Sequence, residues 1–448
     1  MDNTELGTGN IRQLVVKLAV PTMLAQLVNL LYNIVDRIYV GRIPEIGSLA
    51  LAGLGVTFPI IMLVAAFAAL AGNGGASRAA IAMGAGDYKK AERILGNSAS
   101  LLVIFSIVLT VVFLIVKDPI LLMFGASENT LPYASDYLTI YLAGTIFVQL
   151  SLGLNAFITN QGFTKTSMAT VCIGAALNII LDPVFIFVFD MGVQGAALAT
   201  IISQAVSCVW VVAFFRGKRT ILKLRRSNFR LESTTVKAIL SLGISPFIMQ
   251  LTECLVQLTF NNGMMKYGND IYVALMSILF SMLQIVWMPI SGLSQGVQPI
   301  IGYNYGARNL ERVRHAFKLL FIANLAFSLI VVGFVEIFPQ LFIRMFTEDA
   351  AIIEIGIPAV RVYMAGMAIM GAQSACQNTF LALGEAKTSL FLALLRKVIL
   401  LLPLALILPR IADMGVWGLL IAEPVSDIIA VAVTTTMFAV SSRRLLKQ

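Results

Sequence analysis

Residues 191–215 read MGVQGAALATIISQAVSCVWVVAFF, and none of them is Asp, Glu, Lys or Arg. A helix needs about 20 apolar residues in a row to cross the ~30 Å hydrocarbon core of a bilayer. A membrane barrel would instead alternate polar and apolar residues along shorter segments. Residues 94–116 and 362–384 are equally free of charge. The whole chain agrees with its parts. Of 448 residues, 58% are hydrophobic and only 12% are charged, and the mean hydropathy is +0.89. Ordinary soluble domains carry about 25% charged residues. The composition therefore excludes a soluble globular protein, a disordered chain, a collagen and a disulfide scaffold. Cys172, Cys208, Cys254 and Cys376 all lie within apolar runs and read as small hydrophobes.

Working outward, the apolar runs predict an all-α integral membrane protein of twelve transmembrane helices. Their expected spans are 14–40, 48–72, 94–116, 131–156, 167–189, 192–215, 236–262, 271–295, 315–338, 357–382, 388–410 and 415–440. The polar start from Met1 to Gln13, with Asp2 and Glu5, lacks the basic region of a removable signal, so the first run is expected to stay as a span. Most of the Lys and Arg residues fall in the N-terminus, the even-to-odd loops and the C-terminus. The positive-inside rule then predicts a multi-pass protein of the inner (plasma) membrane with both termini cytoplasmic. The densest cluster is Arg216, Lys218, Arg219, Lys223, Arg225, Arg226 and Arg230, between the sixth and seventh runs. A cytoplasmic linker facing anionic lipid accounts for it, and no nucleic-acid partner is expected.

The opening stretch also recurs. Met191-Gly192-Val193 and Gly195 match Met414-Gly415-Val416 and Gly418. At nearly the same offset, Gly74 falls on Gly296, Gly84-Ala85 on Gly306-Ala307, and Tyr141 and Gly144 on Tyr363 and Gly366. Gly162 falls on Gly384, Lys165-Thr166-Ser167 on Lys387-Thr388-Ser389, and Pro21 and Asp36 on Pro246 and Asn261. The chain is a tandem repeat: an N-lobe (1–215), a basic linker (216–235) and a C-lobe (236–448). Six helices per repeat is an even number, so both halves enter from the same side. The two six-helix lobes must then be related by a pseudo-two-fold axis along the membrane normal, the parallel-repeat design of transporters.

These residues resemble the multidrug and toxic compound extrusion (MATE) transporters. GLSQGVQPIIGYNYGA (292–307) resembles that family's helix 8 segment, and GNGGASRAAIAMGAGDY (72–88) its helix 2 partner. LNIILDP (177–183) with MGVQGAALAT (191–200) is similar to helices 5 and 6 of the prokaryotic DinF-like branch. The resemblance implies an exporter that switches between inward- and outward-facing states. Such exporters exchange Na⁺ or H⁺ for amphipathic, often cationic, organic compounds. It implies a coupling ion in place of a cofactor, and a monomer in the bilayer.

Ionisable residues at membrane depth are expensive and are functional candidates by default. In the first repeat they are Asp36 and Asp182. Asn178 lies one turn before Asp182 on the same helix face. With a ~1.5 Å rise per residue, Asp182 lies roughly 22 Å above the inner end of helix 5 and Thr200 roughly 12 Å below the outer end of helix 6, nearly matched depths. In the family pattern an Asp on helix 1, an Asn and an Asp on helix 5, and a Thr on helix 6 build a cation site. Asp36, Asn178, Asp182 and Thr200 match all four. They would ligate Na⁺ as a hard-oxygen cluster, or share a proton between two buried carboxylates. The alternative is structural hydrogen bonding. Gln26, Asn29, Tyr32 and Asn33 are candidates for the substrate pathway, with helix–helix hydrogen bonding as the alternative, and Glu253 is a further candidate that could bind a substrate cation or carry a proton. Pro21 marks a bend in helix 1, static or gating.

The second repeat differs, with Asn261 where the first has Asp36. Arg396, Glu423 and Asp427 are expected to form structural ion pairs, because buried charges pair. No enzymatic activity is expected. Gly292-Leu293-Ser294-Gln295-Gly296 fits the serine-hydrolase elbow, but that motif needs a strand-to-helix turn and a histidine base. Here it ends a membrane helix, and the one histidine, His315, lies some way downstream. No P-loop is present, so an ion gradient must supply the energy. The alternative within transport is a lipid-linked sugar or polysaccharide flippase, which would line its cavity with bases for phosphate.

Overall fold

A computed structural model describes residues 5–446; Asp2, part of the polar start, lies outside them. Among the described residues the chain is helical, with no strand. Eleven helices are long and apolar enough to cross a membrane, and one bent pair brings the total to twelve. They are α1 (Ile11–Gly41), α2 (Gly47–Gly84), α3 (Tyr88–Met123), α4 (Leu131–Ala143 and Thr145–Asn160), α5 (Thr164–Val188) and α6 (Gly192–Arg216) in the first half. The second half holds α7 (Ser233–Tyr267), α8 (Ile271–Gly306), α9 (Leu310–Ile337), α10 (Ala350–Ala382), α11 (Ala386–Ile411) and α12 (Val416–Leu445).

Local chemistry repeats between the halves. Asp87 caps α3 by accepting from the Lys90 amide, and Asn309 caps α9 by accepting from the Arg312 amide. Each cap satisfies an N–H that the first turn leaves free. Gly162 and Gly384 end α4 and α10 with φ of 88° and 77°, a conformation that glycine adopts without strain. α4 bends by 59° at Gly144, and α10 loosens into a 3₁₀ turn over Ala365–Ala368, which contains the matching Gly366. Both α5 and α11 carry a π-helical segment, Val184–Val188 and Leu395–Leu401. Such segments widen the backbone and recur at functional sites.

Each half packs its own core. One joins Val64, Phe113, Leu138 and Ile186, and another joins Phe260, Leu279, Tyr363 and Leu420. The halves meet at the end that carries the linker. There Leu14 and Leu18 of α1 enter a cluster with Val297 and Ile300 of α8. Thr22 donates to the Gly292 carbonyl at 2.7 Å, and Gln298 donates to Ser77 at 2.7 Å. A Cβ on Gly84 would sit 1.8 Å from the Tyr303 carbonyl oxygen, and one on Gly306 would sit 2.0 Å from that of Ile81. Backbones this close exclude any side chain. The lobes are therefore sealed at this end, and the C-terminal half of α1 carries exposed Leu31, Ile34 and Ile38.

Two expected boundaries need the largest correction. α2 and α8 were expected to stop at 72 and 295, but they run on to Gly84 and Gly306. Their glycine-rich and polar ends look like exits from the membrane. They remain helical because the other lobe packs on them and bonds their polar groups. The linker is also docked. The Gln161 side chain accepts from the Ile221 and Leu222 amides, and Asn97 donates to the Asn228 and Arg230 carbonyls.

Candidate functional site

Asp36 on α1, Asn178 and Asp182 on α5, and Thr200 on α6 come together inside the N-lobe. The Asn178 amide donates to Asp182 Oδ1 at 3.2 Å and to Thr200 Oγ1 at 3.3 Å. The carboxyl groups of Asp36 and Asp182 face each other within hydrogen-bonding reach of a shared proton. Asp182 and Asn178 are fully buried, with 0% and 1% exposure. Asp182 precedes Pro183 and the π segment, whose backbone packs against Gly195 of α6; a Cβ there would meet the Phe185 carbonyl at 2.8 Å. This contact brings Thr200 level with Asn178. Arg37 turns away from Asp36, with its guanidinium 5.9 Å from the centre of the Phe58 ring.

Three oxygens in this cluster are buried without a hydrogen-bond partner: Asp36 Oδ1, Asn178 Oδ1 and Asp182 Oδ2. Buried polar atoms are normally satisfied, so each such atom calls for an explanation. All three are acceptors. That donor set fits a cation, whether Na⁺ held by oxygens or a proton held between carboxylates.

Sequence reasoning named Tyr32 but missed the other tyrosines that wall the site. Tyr137 and Tyr141 of α4 are buried beside the carboxylates and half-buried Tyr32 of α1 joins them, with Tyr137 close to Thr200. The Tyr137 and Tyr141 rings stack 6.3 Å apart, one turn from each other. That one-turn spacing below Gly144 was the available signal. Beneath the site lies a polar, uncharged cleft lined by Asn29, Ser151, Asn155, Thr170, Ser203 and Gln204. Of the pathway candidates, Asn29 and Tyr32 border this cleft. Gln26 does not reach it; its amide donates across the seam to Gln295 at 3.3 Å. Asn33 is exposed and donates to the Asn29 carbonyl. α1 is one unbroken helix through the buried Pro21.

The C-lobe holds a larger charged cluster. Arg396 bonds Asp427 at 2.8 Å and Glu423 at 3.3 Å, while its guanidinium lies over the Trp287 ring. Lys397 reaches both Glu253 at 3.3 Å and Glu423 at 3.7 Å. Glu253 is thus tied to this cluster. Replacing Arg396 by Met leaves two buried carboxylates without their main partner, which costs roughly 3–5 kcal/mol. A large fall in the melting temperature of the detergent-solubilised protein is the expected result, and an unchanged melting temperature would contradict it. Ser294 is equally settled. Its hydroxyl accepts from Asn324 at 2.8 Å and lies 3.1 Å from that of Ser374, with no histidine in contact.

The MatE family model matches this chain twice, over residues 21–184 and 246–407. The chain belongs to the MatE family. Multidrug export protein MepA of Staphylococcus haemolyticus (strain JCSC1435) is 27% identical over 421 residues, 94% of this chain and 92% of its own. A solved outward-facing conformation of a multidrug resistance MATE family transporter of the MOP superfamily superposes with a TM-score of 0.92. It is 26% identical, and the match covers 100% of this chain and 99% of that one. A MOP superfamily transporter from Pyrococcus furiosus Vc1 (DSM3638) superposes with a TM-score of 0.93 at 25% identity, over 100% of this chain and 99% of its own. Its binding pocket is described as having reverse polarity, suggesting a different function. The double match follows the tandem repeat, and the MatE fold accounts for the two lobes joined by a docked linker.

Proposed function

We propose that this protein is an ion-coupled antiporter that exports amphipathic, often cationic, organic compounds by alternating access, with H⁺ or Na⁺ as the coupling ion. The observation that carries this reading is the facing pair Asp36–Asp182 with its unpartnered buried oxygens. A bound cation neutralises the pair and lets α1 lie against α5. When the cation leaves, two carboxylates repel in a medium that screens them poorly. α1 carries Asp36 near one end and Thr22, bonded to the Gly292 carbonyl, near the other, roughly 21 Å away along one helix. Movement at the cation site therefore reaches the seam between lobes through a single rigid element. The ion need only bind one arrangement better than the other.

The basic linker supports a cytoplasmic sealed end, so the arrangement described is outward-open, with both termini in the cytoplasm of a plasma-membrane protein. A monomer suffices, since both lobes lie in one chain. A lipid-linked sugar flippase would need unpaired bases at membrane depth to hold phosphate. Arg396 and Lys397 are both taken up by carboxylates, which favours the export of cations.

The test is ethidium transport in proteoliposomes under an imposed Na⁺ gradient, an imposed pH gradient, or neither. Transport under at least one gradient and none without is the expected result. Transport indifferent to both gradients would sink the proposal.

A further inference from the structure

A cleft of about 520 Å³ opens at the sealed end, between the start of α1 and the start of α9. That volume falls within the roughly 300–1,000 Å³ of small-ligand sites. Ile11 and Arg12 of α1 form one wall, and Arg314, His315, Lys318 and Ile322 of α9 form the other. Arg312 also lines it, but its guanidinium is taken up by Asn304 and by the Leu6 and Gly9 carbonyls. Arg314 donates to the Leu446 carbonyl. Arg12, His315 and Lys318 are exposed, and their side chains have no ion pair or hydrogen bond among the described residues. Glu311 is the one acid on the cleft, so positive charge is in excess there. One to two turns further along each helix the surface turns apolar. Val16 and Val20 follow Arg12 at four-residue intervals on α1, and Ile322 follows Lys318 on α9; all three are exposed, Val16 by 62% and Ile322 by 52%.

The first repeat has a matching groove, and there the linker fills it. Glu92 of α3 accepts from the Lys223 amide and pairs with Arg225 at 2.9 Å. Asn97 holds the Asn228 and Arg230 carbonyls and the Glu232 amide, and Ser100 donates to the Phe229 carbonyl. A Cβ on Gly96 would lie 2.4 Å from the Asn228 carbonyl oxygen, so the linker backbone lies directly on this face. The offset that lays Gly84 on Gly306 lays Glu92 on Arg314, Gly96 on Lys318, Asn97 on Leu319 and Ser100 on Ile322. Each group that grips a backbone in the first lobe is thus replaced in the second by a base or an aliphatic side chain. Lys318 occupies the space that Gly96 yields to the linker, and Leu319 and Ile322 offer no hydrogen bond. The second groove is built for a negative charge with an apolar extension.

We propose that this cleft binds an anionic phospholipid from the leaflet at the sealed end. Arg12 and Lys318, with His315 beside them, hold its phosphate oxygens through charge-assisted hydrogen bonds. Its acyl chains lie on Val16, Val20 and Ile322. Arg12 belongs to the N-lobe and Lys318 to the C-lobe, and the cleft lies over the buried seam where Ile11 and Leu14 of α1 meet Val313 and Ala316 of α9. The bound lipid therefore bridges the two lobes, and it favours the sealed arrangement over one in which α1 and α9 part. The bridge does not depend on the exporter reading, because lipid binding and closure are both measured without transport.

The experiment is native mass spectrometry of the full-length protein titrated in detergent with phosphatidylglycerol or with phosphatidylcholine. Retention of phosphatidylglycerol in preference to phosphatidylcholine is the expected result. Arg12→Gln combined with Lys318→Gln should weaken that retention roughly 30-fold, about fivefold for each basic residue removed from beside an anionic lipid. Both side chains are exposed and unpaired among the described residues, so the fold should survive. Lys218→Gln combined with Arg226→Gln removes the same charge from the linker and should leave retention unchanged. Excess glycerol phosphate, an anion without acyl chains, should not compete. Spin labels on Lys89→Cys and Arg308→Cys, without the native cysteines, read the second half of the proposal. Adding phosphatidylglycerol to phosphatidylcholine nanodiscs should shorten their distance in the otherwise unaltered chain and not in the Arg12→Gln, Lys318→Gln variant. An equal loss of retention from the linker pair would reduce the binding to diffuse surface charge and overturn the site. Competition by glycerol phosphate would overturn the lipid, and a distance indifferent to phosphatidylglycerol would overturn the bridge.

Discussion

Asp182→Asn and Asp36→Asn are each expected to abolish gradient-driven efflux, by roughly 100-fold or more, while the protein still accumulates in the membrane. That fall corresponds to losing a coupling energy at the upper end of the usual range. Asn keeps the shape of Asp and can still hydrogen-bond, so the fold should survive. It cannot carry a negative charge or take up a proton. On the proposed mechanism, either substitution keeps the pair from alternating between charged and neutralised states, and α1 loses its reason to move. Asp136→Asn is the control, because Asp136 is exposed on α4 and bonds only Gln194 at 3.0 Å. Ethidium efflux from proteoliposomes reads the effect, and full efflux by both site variants would remove the basis of the mechanism.

Gly84→Val combined with Gly306→Val is expected to hold the sealed end open. Each added side chain would meet backbone, the Tyr303 carbonyl in one case and the Ile81 carbonyl in the other, and backbone cannot swing aside. Overpacking of this kind costs about 1–3 kcal/mol per site. Each 1.4 kcal/mol is about a factor of ten in an equilibrium, so the sealed arrangement should be depleted by roughly 5- to 140-fold per substitution. Spin labels on Lys89→Cys and Arg308→Cys, with the four native cysteines replaced, should report a longer distance, and efflux should fall in parallel. Gly55→Val is the control, since nothing lies within 4 Å of its Cβ position. An unchanged distance together with full efflux would show that the glycines do not set the closure.

The twelve spans were legible in the sequence because a charge in hydrocarbon is so costly that its absence is informative. The duplication was legible because the glycines at 74 and 84 and their partners at 296 and 306 hold backbone contacts no other residue can make. What could not be read was set by neighbours distant in the chain. The far ends of α2 and α8 look too polar to be spans, yet Ser77 and Gln298 satisfy each other across the seam. Asp36, Asn178, Asp182 and Thr200 could be brought together by depth and residue type. Tyr137 and Tyr141 were not, because their one-turn spacing marks a shared helix face without saying what that face meets. The bend at Gly144 has no proline to announce it. Lys397 and Glu253 lie far apart in the chain, and only packing joins α7 to α11.

The seam between the lobes has the geometry of an isologous dimer interface. Gly84 meets the backbone of Tyr303 and Gly306 meets that of Ile81, and each residue of one pair is the repeat counterpart of one in the other. That reciprocity is what two-fold symmetry imposes on identical subunits. In a homodimer any substitution appears on both sides of the axis at once. Joining the subunits end to end removed that constraint and let one half keep Asp36 while the other carries Asn261. The asymmetry of charge between the lobes is therefore a freedom that only the fused chain possesses. A six-helix half expressed alone would present its glycine-lined face to lipid or to another copy of itself.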